Sequence, residues 1–174
     1  MIDDKTGLDF PLFQNQLTSY FGDPRDRSFP QGYLRTIDLR EFGIPTFQRI
    51  YCNYVMEGPL KKALAVIAER GLIGEIKTYD GCWNIRVMKG NAGLLSVHSW
   101  GMALDLNTAT NPFQRDGSEE VITDFSPGFI QCFSAAGFEW GGLWHSCHDA
   151  MHFQLPWTTD WRNSIDPLRP ISYL

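Results

Sequence analysis

The sequence contains few cysteines, no basic run and no long apolar segment, and each absence excludes a class of protein. Its four cysteines, Cys52, Cys82, Cys132 and Cys147, form no C-x-x-C pair, and we expect all four to be reduced thiols in a cytosolic chain. Fifteen Lys and Arg against twenty Asp and Glu give a net charge of −5. Because no basic cluster offsets this charge, we expect no nucleic-acid partner.

The hydropathy pattern likewise excludes membrane insertion. The longest apolar run, near residues 63–68, is far too short to cross a bilayer. The first ten residues, MIDDKTGLDF, are acidic and lack the basic and apolar regions of a signal peptide. We therefore expect a chain that is made and folded in a cytoplasm.

The length and composition predict one compact domain. A chain of 174 residues that is 43% hydrophobic and 14% aromatic can bury a substantial core. No repeat, linker or second domain is visible, so residues 1–174 are predicted to form a single domain, and we expect a monomer.

The segment SVHSWGMALDLN (96–107) carries the first group of chemically active residues. His98 and Asp105 lie seven positions apart in it, and Met102 to Leu106 alternates weakly, as in a strand that is covered on both faces. Asp105 is therefore a carboxylate within an apolar run. Burying such a charge costs several kcal/mol unless it is paired or binds a metal.

A second segment, DAMHFQ (149–154), completes the set. It is a short apolar stretch with one histidine, His152, and Pro156 ends it. With His98 and Asp105 it supplies three ligands of a catalytic zinc site whose fourth position stays open. Asp149 lies three residues before His152, near enough to take a proton from a water that zinc activates.

Together the two segments resemble the M15 zinc peptidases, which include D-Ala-D-Ala carboxypeptidases and dipeptidases and the L-alanyl-D-glutamate peptidases of bacteriophage lysis. The pattern S-x-H-x-x-G-x-A-x-D is complete in SVHSWGMALD (96–105), and D/E-x-x-H is matched by DAMH (149–152). The preceding GFEWGGLW (137–144) is similar to the phage members. The resemblance covers about residues 50–157. Either motif alone would be weak evidence for the family, but the two together are specific.

The resemblance implies roles for individual residues. His98, Asp105 and His152 would bind one Zn²⁺ per chain, and Asp149 would be the catalytic base, where other members carry Glu. The family also uses an upstream Arg to hold the scissile carbonyl. Arg86 in CWNIRV (82–87) is the best match. The alternative is that Arg86 is a solvated residue on a strand and has no role in the site.

The sequence leaves several neighbouring side chains undecided. Ser96, next to the flexible loop KGNAG (89–93), and His145 are candidate substrate contacts. His148 and Cys147 are alternative metal ligands. A strand over 151–155 argues against His148, because positions i and i+4 of a strand lie ~13 Å apart.

The predicted architecture is α+β: a small antiparallel sheet with flanking helices and the zinc site on the sheet, as in the Hedgehog and D-Ala-D-Ala peptidase fold. Helical spacing predicts helices over residues 10–21, 59–70 and 126–136. Residues 22–48 predict one or two short strands in an irregular connection. Asp80-Gly81 predicts a hairpin between strands at 74–79 and 82–88. The tail, 157–174, is predicted to be irregular structure packed by its tryptophans.

The resulting functional hypothesis is a zinc peptidase acting on the stem peptides of bacterial peptidoglycan. The L-Ala–D-Glu bond is the first choice and D-Ala–D-Ala the alternative. Because the N-terminus lacks a signal sequence, we expect a phage endolysin that a holin releases from the host cytoplasm. Two rival hypotheses are a zinc-containing phage module without catalysis and a metal-free protein whose three motif residues are scattered core groups.

Overall fold

The computed structural model describes residues 14–44, 49–88, 91–117 and 120–156, without the side chains of residues 91 and 92. Within these ranges the chain has four α-helices: α1 (Leu17–Phe21), α2 (Phe29–Tyr33), α3 (Tyr54–Glu69) and α4 (Pro127–Ala135). Its strands are β1 (Leu34–Asp38), β2 (Arg49–Asn53), β3 (Tyr79–Gly81), β4 (Val87–Met88), β5 (Asn91–Leu95), β6 (Ala103–Leu106), β7 (Phe113–Gln114), β8 (Glu139–Trp140), β9 (His148–Asp149) and β10 (His152–Gln154). The predicted α+β class, with small antiparallel sheets and helices, is confirmed.

A four-stranded sheet in the order β3-β6-β10-β8 forms the centre of the described structure. All of its pairings are antiparallel, and the register places His152 opposite Asp105 and Phe153 opposite Leu104. Three further antiparallel pairs, β1-β2, β4-β5 and β7-β9, lie outside this sheet. The strands predicted around Asp105 and His152 are thus present and adjacent.

An aromatic core joins the central sheet to α4. Phe153 is fully buried, and its ring stacks on that of Phe133 with centroids 4.3 Å apart. Phe125, Phe129 and Trp140 also lie against it, at centroid distances of 5.6, 6.2 and 6.4 Å. Since side chains alternate along a strand, burying Phe153 on this face turns its neighbours His152 and Gln154 to the other face.

We expect Phe153→Ala to lower the free energy of unfolding by about 3–5 kcal/mol, because it leaves a cavity among four aromatic rings. Urea denaturation of the metal-free protein measures the change. Ile122→Ala serves as the control: this side chain is 56% exposed, so its loss should cost less than about 0.5 kcal/mol. Equal effects of the two substitutions would contradict this account of the core.

Two of the predicted helices begin at polar caps. Ser126 accepts the Phe129 N–H at 3.2 Å and Pro127 opens α4, as predicted. The predicted start of the second helix, at Pro59, is wrong. α3 begins at Tyr54, because Asn53 caps it by accepting the Val55 N–H at 3.3 Å, and Pro59 lies inside the helix.

The hairpin predicted at Asp80-Gly81 is also wrong. These residues lie within β3, which pairs with β6 through an irregular register between Tyr79 and Gly81. Residues 83–86 are not in a strand, and β4 pairs with β5 instead. The Asp-Gly pair therefore marks a bulge in the central sheet, where Gly81 has a φ of +132°.

The predicted N-terminal helix is found only in part, as α1 after a turn of 3-10 helix at Gln14–Gln16. Residues 10–13 of that prediction and the tail from residue 157 lie outside the described residues. None of the helices that the structure describes is long and apolar enough to span a bilayer.

Candidate metal centre

Three side chains from two distant parts of the chain converge on one point of the central sheet. His98 Nε2 lies 3.2 Å from His152 Nδ1, Asp105 Oδ1 lies 2.9 Å from His152 Nδ1, and His98 Nε2 lies 3.2 Å from Asp105 Oδ1. His98 and His152 are buried and Asp105 is largely so. Among the described residues, this is the group of His, Cys, Asp and Glu side chains whose ligand atoms approach closely enough to hold a metal ion.

The triangle of ligand atoms has the size that a tetrahedral zinc site requires. Zn–N and Zn–O bonds of about 2.0–2.1 Å imply ligand atoms roughly 3.3 Å apart at tetrahedral angles. The observed separations of 2.9, 3.2 and 3.2 Å differ from this by a few tenths of an ångström. An ion could therefore enter without a backbone shift, and the donor set fits zinc.

Local structure fixes His98 in this position. It lies in a 3-10 helix, Val97–Trp100, which ends at Gly101 with a φ of +66°. A Cβ at Gly101 would lie 3.0 Å from the Asn53 nitrogen, so both conformation and space favour glycine in the motif. The chain then enters β6, which carries Asp105.

The tautomer of His98 follows from its second contact. Nδ1 lies 2.8 Å from the Cys82 carbonyl oxygen, which can only accept a hydrogen bond. Nδ1 therefore donates, and the lone pair of neutral His98 is on Nε2, facing the other two ligand atoms. Such a carbonyl contact commonly orients a metal-binding histidine.

Asp105 divides its two oxygens between different partners. Oδ1 faces both histidines, whereas Oδ2 lies 3.9 Å from the Arg86 guanidinium. Burial opposes ionisation, but the hydrogen bond and charge of His152 outweigh it and hold the pKa of Asp105 well below its usual range. The carboxylate thus stays charged at neutral pH.

The same competition between burial and a charged partner raises the pKa of His152. Burial lowers its pKa, but the hydrogen bond and charge of Asp105, with a smaller contribution from the charge of Asp149, raise it to about 9. This pKa exceeds the ordinary 6.5. In the metal-free protein, protonated His152 therefore contributes to the free energy of unfolding, and this contribution is fully present below pH 6.5. It is lost as the pH rises through about 9.

We expect zinc binding to release about one proton at pH 7, because the metal must displace the proton that His152 carries in the metal-free protein. The apparent affinity should then rise about tenfold per pH unit up to about pH 9. Calorimetric titration in two buffers of different ionisation enthalpy counts the released protons. An affinity that stays constant from pH 6.5 to 8.5 would contradict the prediction.

Asp149 lies on β9, three residues before His152. It is half-buried, pairs with Phe113 of β7, and its charge acts on His152. A Cβ on Gly141 would lie 2.7 Å from the Asp149 carbonyl oxygen. The absence of a side chain at Gly141 therefore lets Asp149 pack closely against the turn that follows β8.

Arg86 is brought to the centre although it is not on a strand. Its backbone N–H donates to Ser99 Oγ at 3.1 Å, and its carbonyl accepts from the Ser96 N–H at 2.8 Å and from Ser99 Oγ at 3.1 Å. These bonds tie Arg86 to the turn that carries His98. Its side chain remains 35% exposed, which leaves the guanidinium accessible to a ligand.

The remaining candidates lie in different surroundings. Ser96 is buried and directly precedes the 3-10 helix of His98. His145 is exposed, Cys147 is half-buried and His148 is buried on β9. The described structure does not bring Cys147 or His148 into the His98–Asp105–His152 cluster.

Sequence reasoning missed the groups behind the ligands. His152 Nε2 lies 3.0 Å from Gln154 Oε1, and Gln154 Nε2 donates to Glu139 Oε2 at 2.9 Å. Glu139 begins EWGG (139–142), and Gln154 ends HFQ (152–154), the segment that begins with His152. A glutamine two residues from a ligand, and so on the same strand face, was the available signal.

Comparison with known proteins adds one finding. A family model described as D-alanyl-D-alanine carboxypeptidase matches residues 89–155, which include the two motif segments but not Arg86. Searches of curated proteins and of solved structures found no significant match.

Proposed function

We propose that this chain, whose residues 89–155 match a family model described as D-alanyl-D-alanine carboxypeptidase, is a zinc-dependent peptidase that hydrolyses peptidoglycan stem peptides. The proposal includes one Zn²⁺ per chain, held by His98, Asp105 and His152. The observation that carries it is the convergence of these three ligand atoms within 3.2 Å of one another.

A zinc ion held there would supply Lewis-acid chemistry, polarising a carbonyl and acidifying a water molecule. Asp149 is proposed as the base: its carboxylate accepts a proton from the attacking water and returns it to the leaving amine. A half-buried carboxylate whose charge is felt at His152 suits this exchange. A purely structural zinc site has no need of such a group, which argues against the non-catalytic module.

Arg86 is proposed to stabilise the oxygen of the scissile carbonyl as it becomes negative. Its guanidinium lies 3.9 Å from Asp105 Oδ2 and is partly open to solvent. A guanidinium in this position can donate a charge-assisted hydrogen bond to an oxyanion. Ser96 and His145 stay proposed substrate contacts; the buried Ser96 would act through the turn that it begins.

For the bond that is cut, L-Ala–D-Glu is proposed first, because Asp at the base position and GFEWGGLW (137–144) are similar to the phage endopeptidases. The matched family description, D-alanyl-D-alanine carboxypeptidase, favours D-Ala–D-Ala as the second candidate. The first proposal also includes the biological role: the protein is a phage endolysin that acts as a monomer. A holin releases it to the cell wall.

Digestion of defined peptidoglycan with the zinc-loaded protein, followed by mass spectrometry of the products, tests the proposal. New N-terminal D-Glu supports the first bond, and released D-Ala supports the second. Intact stems, in a preparation that contains one equivalent of zinc, would support the non-catalytic module. A preparation that binds less than about half an equivalent of added zinc would favour the metal-free hypothesis, because the ligand set requires one ion per site.

A further inference from the structure

The ring nitrogen of His152 that faces away from the cluster is the start of a buried hydrogen-bonded chain. His152 Nε2 contacts Gln154 Oε1 at 3.0 Å, Gln154 Nε2 donates to Glu139 Oε2 at 2.9 Å, and Glu139 Oε1 accepts from Trp144 Nε1 at 2.9 Å. Gln154 is 1% exposed and Glu139 7%. The indole of Trp144 also packs against the His152 ring, with centroids 5.4 Å apart.

The hydrogen-bonding capacity of each group fixes the direction of this chain. Gln154 Nε2 also contacts the Pro156 carbonyl oxygen, which can only accept, as can an ionised Glu139 carboxylate. The amide nitrogen of Gln154 must therefore face these two groups, and its oxygen must face His152. It follows that His152 Nε2 carries a proton and that Nδ1 is the atom available to a metal.

We propose that Gln154 and Glu139 are positioning residues that hold His152 in its metal-binding tautomer and orientation. The proposal rests on His152 being a zinc ligand. Gln154 accepts the Nε2 proton, Glu139 holds the Gln154 amide, and Trp144 holds Glu139. By accepting the Nε2 proton of His152, the Gln154 amide oxygen makes His152 a stronger donor to the ion.

The two histidines therefore depend on different supports. His98 donates to the Cys82 carbonyl, a backbone group that no substitution removes. His152 depends on two side chains, and these are buried where water cannot replace them. Loss of such a supporting group typically weakens metal binding by about 10–100-fold.

The first experiment measures zinc affinity by competition with a chromophoric chelator. We expect Gln154→Met to weaken binding by about 10–100-fold. Glu139→Gln should also weaken it, because the new amide has a single oxygen, which cannot replace both carboxylate oxygens that accept from Trp144 and Gln154. If Glu139 acts through Gln154, the double variant should bind zinc no more weakly than Gln154→Met alone. Additive losses would overturn the coupled chain.

Gln114→Met is the matched control. Gln114 is also a buried glutamine, with two backbone partners, the Glu120 carbonyl at 2.9 Å and the Ile122 N–H at 2.8 Å. Its substitution should lower the Tm without changing zinc affinity. If Gln154→Met lowers only the Tm in the same way, Gln154 is structural and the proposal fails.

A second measurement requires no variant to fold. Long-range ¹H–¹⁵N correlation spectra of the zinc-loaded protein identify the protonated nitrogen of each imidazole. We expect Nε2–H for His152 and Nδ1–H for His98. A zinc-loaded His152 protonated on Nδ1 would overturn this inference and leave the proposed function standing, whereas a protein that binds no zinc would overturn both.

Discussion

Asp149→Asn should reduce the turnover of peptidoglycan stem peptides by about 10²–10⁴-fold, the usual contribution of general acid–base catalysis. The amide has nearly the shape of the carboxylate but cannot accept the proton of the attacking water. Zinc content should be unchanged, because Asp149 is not among the three ligands. Measuring kcat and bound zinc on the same preparation separates the two effects.

Asp26→Asn provides a control for the loss of one negative charge. Asp26 is exposed and accepts from the Ser28 N–H and hydroxyl, both at 2.8 Å, and an asparagine oxygen can still accept there. We expect activity close to that of the unchanged protein. If Asp149→Asn lyses purified walls at the original rate, Asp149 is not the base.

Asp105→Asn is expected to weaken zinc binding by at least about 100-fold, more than the loss of a supporting group. It removes the charge that offsets the ion, and it places an amide of lower ligand strength between His98 and His152. Activity should fall with metal content. In the metal-free protein the pKa of His152 should fall from about 9, because Asp105 supplies the hydrogen bond and charge that raise it.

The two asparagine variants thus predict different patterns. Asp149→Asn retains zinc and loses turnover, whereas Asp105→Asn loses both. Equilibrium dialysis against a zinc buffer, with activity measured at each free zinc concentration, compares them directly. An Asp105→Asn protein that binds zinc with unchanged affinity would remove Asp105 from the ligand set.

Local sequence patterns predicted the individual elements near the site better than their partners. Alternation around Asp105 and the stop at Pro156 predicted β6 and β10, because both signals lie within a few residues. The pairing of Asp105 with His152 spans 47 positions, and no periodicity encodes it. The hairpin at Asp80-Gly81 failed for the same reason: the turn signal is local, whereas the partner of β3 is the distant β6.

The motif residues predicted the candidate metal site. They did not predict the groups that form hydrogen bonds to its two histidines. His98, Asp105 and His152 have chemically distinctive side chains, so their types and spacing pointed to a metal. The Cys82 carbonyl leaves no trace in the sequence, since every residue has one. Gln154 and Glu139 were visible, but glutamine and glutamate are common surface residues, and only burial shows their use.

Because β6 pairs with β10, the burial of Phe153 in the aromatic core also fixes the register of these two strands. A slip of one residue would exchange the faces of His152 and Phe153, which would remove a proposed ligand and expose a fully buried ring. A single insertion or deletion within 103–106 or 152–154 should therefore abolish metal binding and folding together.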